Sequence, residues 1–340
     1  MSPGHRVADS QGHQVAGGPV RWRAKGFAEV GNHSPVRAPA RSCGDMREND
    51  RVTSATRQPE SPAAALPPRL IATDLDGTLL RDDKSVSPRT VAALAAAEEA
   101  GIEVFFVTGR PARWMDVVSD HVHGHGLAIC GNGAAVVDLH GGPGAHRFVK
   151  VRELARDNAL DAVRLLRDAA PGTVYAVEQT YGFYQEPAYP KMHLEVPDTL
   201  APAEELLAPD APGADEPVLK ILAFHPTLDP DGFLALARLA IGDRANVTRS
   251  SPSALLEISG PGVSKASTLA LSCAERGISH SEVVAFGDMP NDVEMLTWAG
   301  RSYAMGNAHP DVIAAASGRT VANNEDGVAV VIERMLAERA

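Results

Sequence analysis

The sequence predicts an α/β protein with a doubly wound, Rossmann-like parallel sheet and an inserted α+β domain. Strands alternate with helices before residue 130 and again after residue 261, as parallel sheets with crossover connections require. The intervening segment has a different character, with short strand candidates and loops rich in proline and glycine. The length of 340 residues allows two domains. The predicted boundaries are a core over 69–130 and 261–340 and an insert over 131–260.

The core is predicted from apolar strands that end in polar residues. An apolar run over 69–74 is followed by a helix that Ser87 caps and Gly101 ends. A second strand, over 102–107, ends just before Thr108. The alternation then resumes after the insert. The later helices are predicted over 263–276, 292–299, 309–316 and from 327, and the later strands over 282–286, 301–305 and 320–322.

The insert is predicted to contain one helix and a set of short strands. The helix is expected over 151–168, and loops around 197–217 are rich in proline and glycine. The strand candidates are 134–139, 173–177, 182–187, 218–224 and 254–258. This content is typical of an α+β domain inserted into a larger fold.

Residues 1–68 are predicted to be a disordered extension that ends in a proline-rich linker. Gly, Pro, Arg and His are frequent there, and the apolar residues show no sustained period. A targeting arm is the weaker alternative, because the segment has no amphipathic run. Initiation at Met46 is a third interpretation, which peptides from residues 1–45 in the native protein would exclude.

Composition excludes several classes of protein. The formal net charge of −11 argues against nucleic acid or an anionic membrane as the main partner. We find no apolar stretch of membrane-spanning length and no signal peptide, so a cytoplasmic location is expected. The three cysteines, Cys43, Cys130 and Cys273, are too dispersed for a disulfide framework or a zinc site.

Two carboxylates one residue apart, Asp74 and Asp76, follow the first strand and precede Gly77 and Thr78. Their order suggests a nucleophile and its proton partner, and adjacent carboxylates at a strand end repel unless a cation neutralises them. Mg²⁺ takes one or two protein carboxylates and leaves positions for water and a phosphate. The pair therefore indicates phosphoryl chemistry, with a simple Asp-Gly turn as the alternative.

Two later segments add a carboxylate and a cation. Asp288 follows another apolar strand, so it is expected at the same edge of the sheet as Asp74. For Asp292 the alternative is a structural role, in which its negative charge stabilises the N-terminus of the next helix. Lys265 opens the helix before that strand, where its ammonium is either solvated or holds both a carboxylate and a phosphate.

These segments together resemble the haloacid dehalogenase superfamily of phosphohydrolases across residues 70–335. The resemblance rests on Asp74-Leu-Asp76-Gly-Thr78, Thr108, Lys265 and the Asp288 to Asp292 segment. Residues 131–134, with the sequence Gly-Asn-Gly-Ala, and the C-terminal segments 305–308 and 324–329 resemble the Cof-type subgroup. In that subgroup a large cap is inserted between the second and third motifs, so the insert would be this cap.

The resemblance implies a two-step displacement on an aspartate. Asp74 would attack phosphorus to give an aspartyl-phosphate, and Asp76 would protonate the leaving oxygen and then deprotonate the hydrolytic water. Mg²⁺ would be bound by Asp74, the backbone carbonyl of Asp76 and Asp288, with Asp292 as a further ligand or a neighbour of one.

The resemblance also implies contacts to the substrate. Thr108 and the amide of Gly109 would hold the transferring phosphoryl group, and Lys265 would orient Asp74. The substrate-binding residues are expected to be Gly77, Gly109, Arg110, Asn132 and Asn291, where Asn291 would contact phosphate or its bridging atoms. Alternatively, Arg110 forms a salt bridge to the cap, and Asn132 is only a turn residue.

Weaker candidates lie in the insert and in one loop. Tyr181, Tyr184, Tyr189, His193 and Arg249 are candidates for leaving-group selection, with ordinary packing as the default. We expect a solvated loop, and not a metal site, at His121, His123 and His125.

The expected activity is Mg²⁺-dependent hydrolysis of a small phosphorylated metabolite, with cap closure excluding water. A sugar phosphate is the first expectation for the substrate, and a phosphorylated cofactor such as flavin mononucleotide or pyridoxal phosphate the second. The acid at Asp76, where related ion pumps carry threonine, favours hydrolysis over a stored intermediate. Phosphomutase-type transfer and a phosphometabolite sensor are the alternatives, and the sequence predicts no oligomeric state.

Overall fold

The computed structural model describes residues 66–119, 126–191 and 196–339. The predicted disordered extension lies outside the described residues as far as residue 65, and so does the Met46 alternative. Four of the histidines considered above also lie outside them, namely His121, His123, His125 and His193. Among the helices of the described part, none is long and apolar enough to cross a membrane.

The described chain folds into two sheets with helices packed on them. The strands are β1 Leu70–Thr73, β2 Glu103–Val107, β3 Leu127–Cys130, β4 Ala135–Asp138, β5 Arg147–Val151, β6 Val174–Gln179, β7 Phe183–Gln185, β8 Thr199–Leu200, β9 Val218–Phe224, β10 Asn246–Thr248, β11 Leu255–Ser259, β12 Val283–Gly287, β13 Arg301–Ala304 and β14 Gly318–Arg319. The helices are α1 Pro88–Glu99, α2 Asp116–Ser119, α3 Arg156–Ala169, α4 Ala203–Leu206, α5 Pro230–Ile241, α6 Lys265–Glu275, α7 Val293–Trp298, α8 Pro310–Ala315 and α9 Gly327–Ala337.

The larger sheet has eight strands in the order β14-β13-β12-β1-β2-β3-β4-β5, and β14 through β3 run parallel. Side chains of β1 alternate between two buried clusters, one formed with α1 and α9 and the other with α6, α7 and α8. Helices therefore cover both faces, which confirms the predicted doubly wound core. Thr73 in the central strand is level with Phe106 on one side and Phe286 on the other, so the residues after these three strands meet at one edge.

The smaller sheet, which we call the cap sheet, has six strands in the order β10-β11-β9-β6-β7-β8, and its pairings are antiparallel except β7 with β8. Helices α3, α4 and α5 bury one of its faces through a cluster that includes Tyr175, Ile221 and Phe233. Because side chains alternate along a strand, the intervening residues of β6, β9 and β11 lie on the opposite face.

The structure corrects the sequence predictions at several elements of the insert. β4 pairs with β3, and β5 with β4, so the chain between residues 135 and 151 extends the core sheet although the predicted insert begins at 131. Alternation alone cannot tell which sheet a strand will join. The segment at 147–151 is strand, so α3 begins five residues later than predicted. The last strand lies at Gly318–Arg319 rather than 320–322.

Helix α5 was missed although it has clear start signals. Asp229 accepts a hydrogen bond from the backbone N–H of Gly232 at 2.8 Å, and Pro230 occupies the first helical position. The predicted N-terminus of α1 is confirmed, since Ser87 Oγ accepts from the backbone N–H of Thr90 at 3.1 Å. A capping box between Ser264 and Ser267 likewise begins α6.

Candidate active site

Three buried carboxylates and one buried lysine lie at the carboxyl edge of the core sheet. Asp74 follows β1, Asp288 follows β12, and Asp292 ends the 3₁₀ turn before α7. Lys265 Nζ, at the first position of α6, donates to Asp74 Oδ1 at 2.5 Å and to Asp292 Oδ1 at 2.7 Å. Carboxylate oxygens of the three aspartates lie within 4.8 Å of one another, and within the described ranges this is the group that could hold a metal ion.

The carboxylates of this cluster are electrostatically unfavourable as they stand. Burial and the nearby charges of Asp292 and Asp288 raise the pKa of Asp74 well above its ordinary value, although Lys265 opposes the shift. Burial and Asp292 raise the pKa of Asp288 to about 7. Burial lowers the pKa of Lys265, but Asp292 and Asp74 outweigh it and leave that pKa above its ordinary value. The lysine is therefore charged, and it does not neutralise all three acids.

The second oxygen of Asp292 organises backbone. Asp292 Oδ2 accepts from the N–H groups of Asp288 at 3.0 Å and Met289 at 3.1 Å. Thr78 Oγ1 donates to Asp288 Oδ1 at 2.9 Å. Gly77 has a φ of 78°, and a Cβ there would press on the Asp288 carboxylate, so this position requires glycine. Both oxygens of Asp292 are thus used by protein donors, whereas Asp288 keeps one oxygen available.

The carboxylate of Asp76 points to a different pair of cations. Arg110 donates two hydrogen bonds to it, from Nε to Oδ2 at 2.5 Å and from Nη2 to Oδ1 at 2.7 Å. Lys84 Nζ donates to Oδ1 at 2.9 Å. Burial raises the pKa of Asp76, but Arg110 and Lys84 outweigh this and lower it to about 2. The salt bridge of Arg110 to the cap that the sequence left open is not what the structure shows, because its ion pair is with Asp76 of the core.

The turn that carries Lys84 is held by the C-terminal part of the chain. Lys84 has a φ of 67°, which is uncommon for a residue with a side chain. Asn324 brackets this turn, since it accepts from the N–H of Asp82 at 3.1 Å and donates to its carboxylate at 2.7 Å. Asn307 Nδ2 donates to the carbonyl of Gly77 at 2.8 Å. The two C-terminal segments on which the resemblance rests therefore brace the loop after β1.

The segment after β2 lies between this edge and the cap sheet. Thr108 Oγ1 accepts from the N–H of Arg110 at 3.0 Å, which leaves its own proton available to a ligand. The carbonyl of Gly109 accepts from Lys220 Nζ, in β9 of the cap sheet, at 2.6 Å. The cap sheet therefore contacts the core directly beside Thr108.

Asn132 and Asn291 connect the two strand ends. Asn291 Nδ2 donates to Asn132 Oδ1 at 2.9 Å, and Asn132 Nδ2 donates to Glu257 Oε2 of β11 at 2.8 Å. Asn132 is buried with a φ of 55°, so it is both a left-handed turn residue and a contact between core and cap. The structure thus brings together all the residues predicted for the site, from β1, β2, β3, α6 and β12.

The weaker candidates of the cap are placed less uniformly. Tyr181 is 74% exposed, whereas Tyr184 and Tyr189 are buried. Tyr184 belongs to the buried cluster between the cap sheet and its helices, as the packing alternative expects. Arg249 is buried and reaches the core, where its Nη2 lies 3.4 Å from Nε2 of His309.

Sequence reasoning gave no role to five residues that the structure places at or beside this edge. They are Thr78, Lys84, Glu178, Lys220 and Glu257. The last three had a usable signal, because each is a charged residue within an otherwise apolar strand, and such residues are rarely buried unless paired. Lys84 had no comparable signal, because a lysine in a polar loop is ordinarily solvated.

The fold and this edge of the sheet define a class of phosphoryl-transfer hydrolases. The family model of haloacid dehalogenase-like hydrolases matches residues 71–332, so the chain belongs to that family. The matching model is that of hydrolases of the Cof type within this family. The stated resemblance is therefore confirmed.

Relatives and solved structures agree with this assignment. The chain is 30% identical over 256 residues to the HMP-PP phosphatase of Citrobacter koseri, a match covering 72% of this chain and 87% of the relative. It is 27% identical over 266 residues to the 5-amino-6-(5-phospho-D-ribitylamino)uracil phosphatase YcsE of Bacillus subtilis, covering 78% and 94%. A solved subclass IIB sugar phosphatase has a TM-score of 0.64 at 21% identity, covers 78% of this chain and 98% of its own, and shows that the two share a fold.

Proposed function

We propose that this protein is a Mg²⁺-dependent phosphomonoesterase that forms an aspartyl-phosphate on Asp74. The observation that carries the proposal is the buried contact of Lys265 with Asp74 at 2.5 Å, beside two further carboxylates at the edge where ligands of such sheets bind. Lys265 holds one oxygen of Asp74 and thereby fixes the orientation of its carboxylate. The names of the two curated relatives support a small phosphorylated metabolite as substrate, and a sugar phosphate is the first candidate.

The residues present fit a magnesium ion. Asp74 Oδ2 and Asp288 Oδ2 have no hydrogen-bond partner among the described residues, and both belong to groups whose pKa is raised by burial and by neighbouring acids. Hard oxygen ligands with surplus negative charge are what Mg²⁺ requires. Asp74, Asp288 and the backbone carbonyl of Asp76 would hold it, and Asp292 would position them through Lys265. When bound, Mg²⁺ neutralises this surplus and the charge of the phosphate.

The remaining residues bind the phosphate and move protons. Thr108 and the N–H of Gly109 donate to the phosphoryl oxygens, and Arg110, which contacts both Thr108 and Asp76, offers them its guanidinium. Asp76 is ionised while Arg110 and Lys84 hold it, which is the form that deprotonates the hydrolytic water. To protonate the leaving group it first takes up a proton, and Arg110 and Lys84 turn from it to the substrate.

Hydrolysis of p-nitrophenyl phosphate with and without Mg²⁺, beside the Asp74→Asn variant, tests the proposal. We expect kcat/KM to fall by at least about 1,000-fold in Asp74→Asn and by a similar factor after chelation. Inorganic phosphate must accumulate as product, because retention of the phosphoryl group on the substrate indicates a mutase. Activity that survives either the substitution or chelation would refute this mechanism.

A further inference from the structure

A buried ion pair of the cap sheet contacts the core at two points. Lys220 and Glu257 lie on the face of the cap sheet that is not covered by its helices, with Nζ 2.6 Å from Oε2 and each side chain 4% exposed. Lys220 also donates to the carbonyl of Gly109 at 2.6 Å. Glu257 accepts from Asn132, which in turn accepts from Asn291.

The hydrogen bonds along this chain have only one consistent direction. An ionised carboxylate is acceptor-only, and both Lys220 and Ser250 donate to Glu257. Asn132 must therefore turn its NH₂ group toward Glu257 and its carbonyl oxygen toward Asn291. Asn291 must then use its NH₂ group on Asn132. This leaves Asn291 Oδ1 buried at the end of β12 without a hydrogen-bond partner among the described residues.

The core backbone is shaped to receive this ion pair. A Cβ at Gly109 would lie 3.3 Å from both Asn132 Oδ1 and Glu257 Oε1. Because glycine has no Cβ, it leaves room for these two side chains. Asn132 holds a left-handed conformation, which costs free energy in a residue with a Cβ and persists only where its surroundings enforce it. The glycine at 109 and the left-handed conformation of Asn132 thus lie at the two points where Lys220 and Glu257 contact the core.

We propose that Lys220 and Glu257 are positioning residues that set the polarity of the Asn132–Asn291 amide pair. This proposal rests on the proposed function. With that polarity, Asn291 Oδ1 accepts a hydrogen bond from a donor on the leaving group, such as a hydroxyl or amine beside the phosphoester. It replaces the expected contact of Asn291 with phosphate, because a phosphate dianion is itself an acceptor. The preferred substrates are therefore phosphoesters of polyols or amino alcohols over aryl phosphates.

Reversing the ion pair tests the polarity while keeping a salt bridge. In Lys220→Glu/Glu257→Lys the residue facing Asn132 becomes a donor, so both amides turn and Asn291 presents NH₂ in place of oxygen. We compare kcat/KM for p-nitrophenyl phosphate with that for the sugar phosphate that the wild type hydrolyses fastest. The sugar phosphate should lose about 100-fold, the scale of an unmade buried hydrogen bond, and the aryl phosphate less than about fivefold.

The matched control reverses an exposed ion pair of the cap that contacts neither Asn132 nor Asn291. Asp161→Arg/Arg244→Asp reverses a pair whose side chains are each 53% exposed. It should leave both kcat/KM values and the thermal midpoint unchanged. Equal losses on both substrates in the Lys220/Glu257 variant, or no loss on either, would overturn the inference. So would a wild type that hydrolyses the aryl phosphate but no sugar phosphate.

A double-mutant cycle keeps the inference testable if the reversed pair does not fold. Glu257 and Asn291 share no hydrogen bond, so coupling between Glu257→Leu and Asn291→Leu on sugar phosphate turnover must pass through Asn132. We expect the double variant to be within about twofold of Asn291→Leu alone. Additive losses would overturn the inference. Loss of the proposed function is separate, because it shows as absent p-nitrophenyl phosphate turnover in the wild type.

Discussion

The core cluster and the cap cluster both bury charged side chains, but only the cap cluster is balanced. In the core, the carboxylates of Asp74, Asp288 and Asp292 surround the single ammonium of Lys265, a formal excess of two negative charges. In the cap cluster, two glutamates face two cations, a balanced set. They are Glu178 and Glu257, with Lys220 between them and Arg113 Nη2 at 3.8 Å from Glu178.

This difference separates a cluster with surplus charge from one whose charges are paired. Buried charge is costly unless it is paired, and the proposed Mg²⁺ would neutralise the surplus of the core cluster. Burial and this surplus raise the pKa values of Asp74 and Asp288. In the cap cluster burial lowers the pKa of Lys220, but Glu178 and Glu257 raise it more. The cap charges are thus paired without a metal ion, and they contact the core through hydrogen bonds and through the ion pair of Glu178 with Arg113.

The same substitution at the two buried lysines should have very different consequences. Lys265→Met removes the cation that touches Asp74, and we expect kcat/KM for p-nitrophenyl phosphate to fall by about 1,000-fold. Lys220→Met removes only a positioning contact, so the fall should be about tenfold or less. Steady-state kinetics with saturating Mg²⁺ measures both. Equal losses would show that the two clusters do not differ in their relation to the chemistry.

Removing one carboxylate from each cluster should change stability in opposite directions. Burial raises the pKa of Asp288 to about 7, so the metal-free protein loses stability as pH rises from about 4 to 7, and the cost remains at pH 8. Asp288→Asn should therefore raise the free energy of unfolding at pH 8 without metal by about 1 kcal/mol. Glu257→Gln breaks a complete pair and should lower it by about 3 kcal/mol.

Urea unfolding at pH 8 in chelator measures both changes. Mg²⁺ should then stabilise the wild type and Glu257→Gln, but not Asp288→Asn, because binding to the folded state alone raises its stability. A destabilised metal-free Asp288→Asn protein would mean that the core cluster carries no surplus charge.

The smallest expected effect is at Lys84, a cation that belongs to neither cluster. Lys84→Ala leaves Asp76 paired with Arg110, so we expect the KM for p-nitrophenyl phosphate to rise about threefold to tenfold with kcat little changed. Arg89→Ala is the control, because Arg89 pairs with Glu333 on the outer side of α1 and α9. If Lys84→Ala has the same KM as the control, Lys84 is an ordinary surface lysine with no part in substrate binding.

Much of the core could be predicted from the sequence because its signals are local. An apolar run that ends in Asp74 or Asp288 predicts both a strand and the edge to which its carboxylate belongs, since parallel strands of one sheet share their carboxyl edge. Ser87 likewise predicted a helix start, because a cap is satisfied within three residues.

By itself, then, the sequence determined the doubly wound core and which acids and lysine gather at its edge. Only the tertiary structure decided that β4 and β5 join the core sheet, that Arg110 pairs with Asp76, and that Lys220 and Glu257 reach Gly109 and Asn132. For the contacts made by Arg110, Lys220 and Glu257 the physical reason is sequence separation. These contacts join residues 34 to 125 positions apart, and neither strand periodicity nor capping carries information over that distance. β4 and β5 are close to β3 in sequence, but alternation does not say which sheet a strand joins.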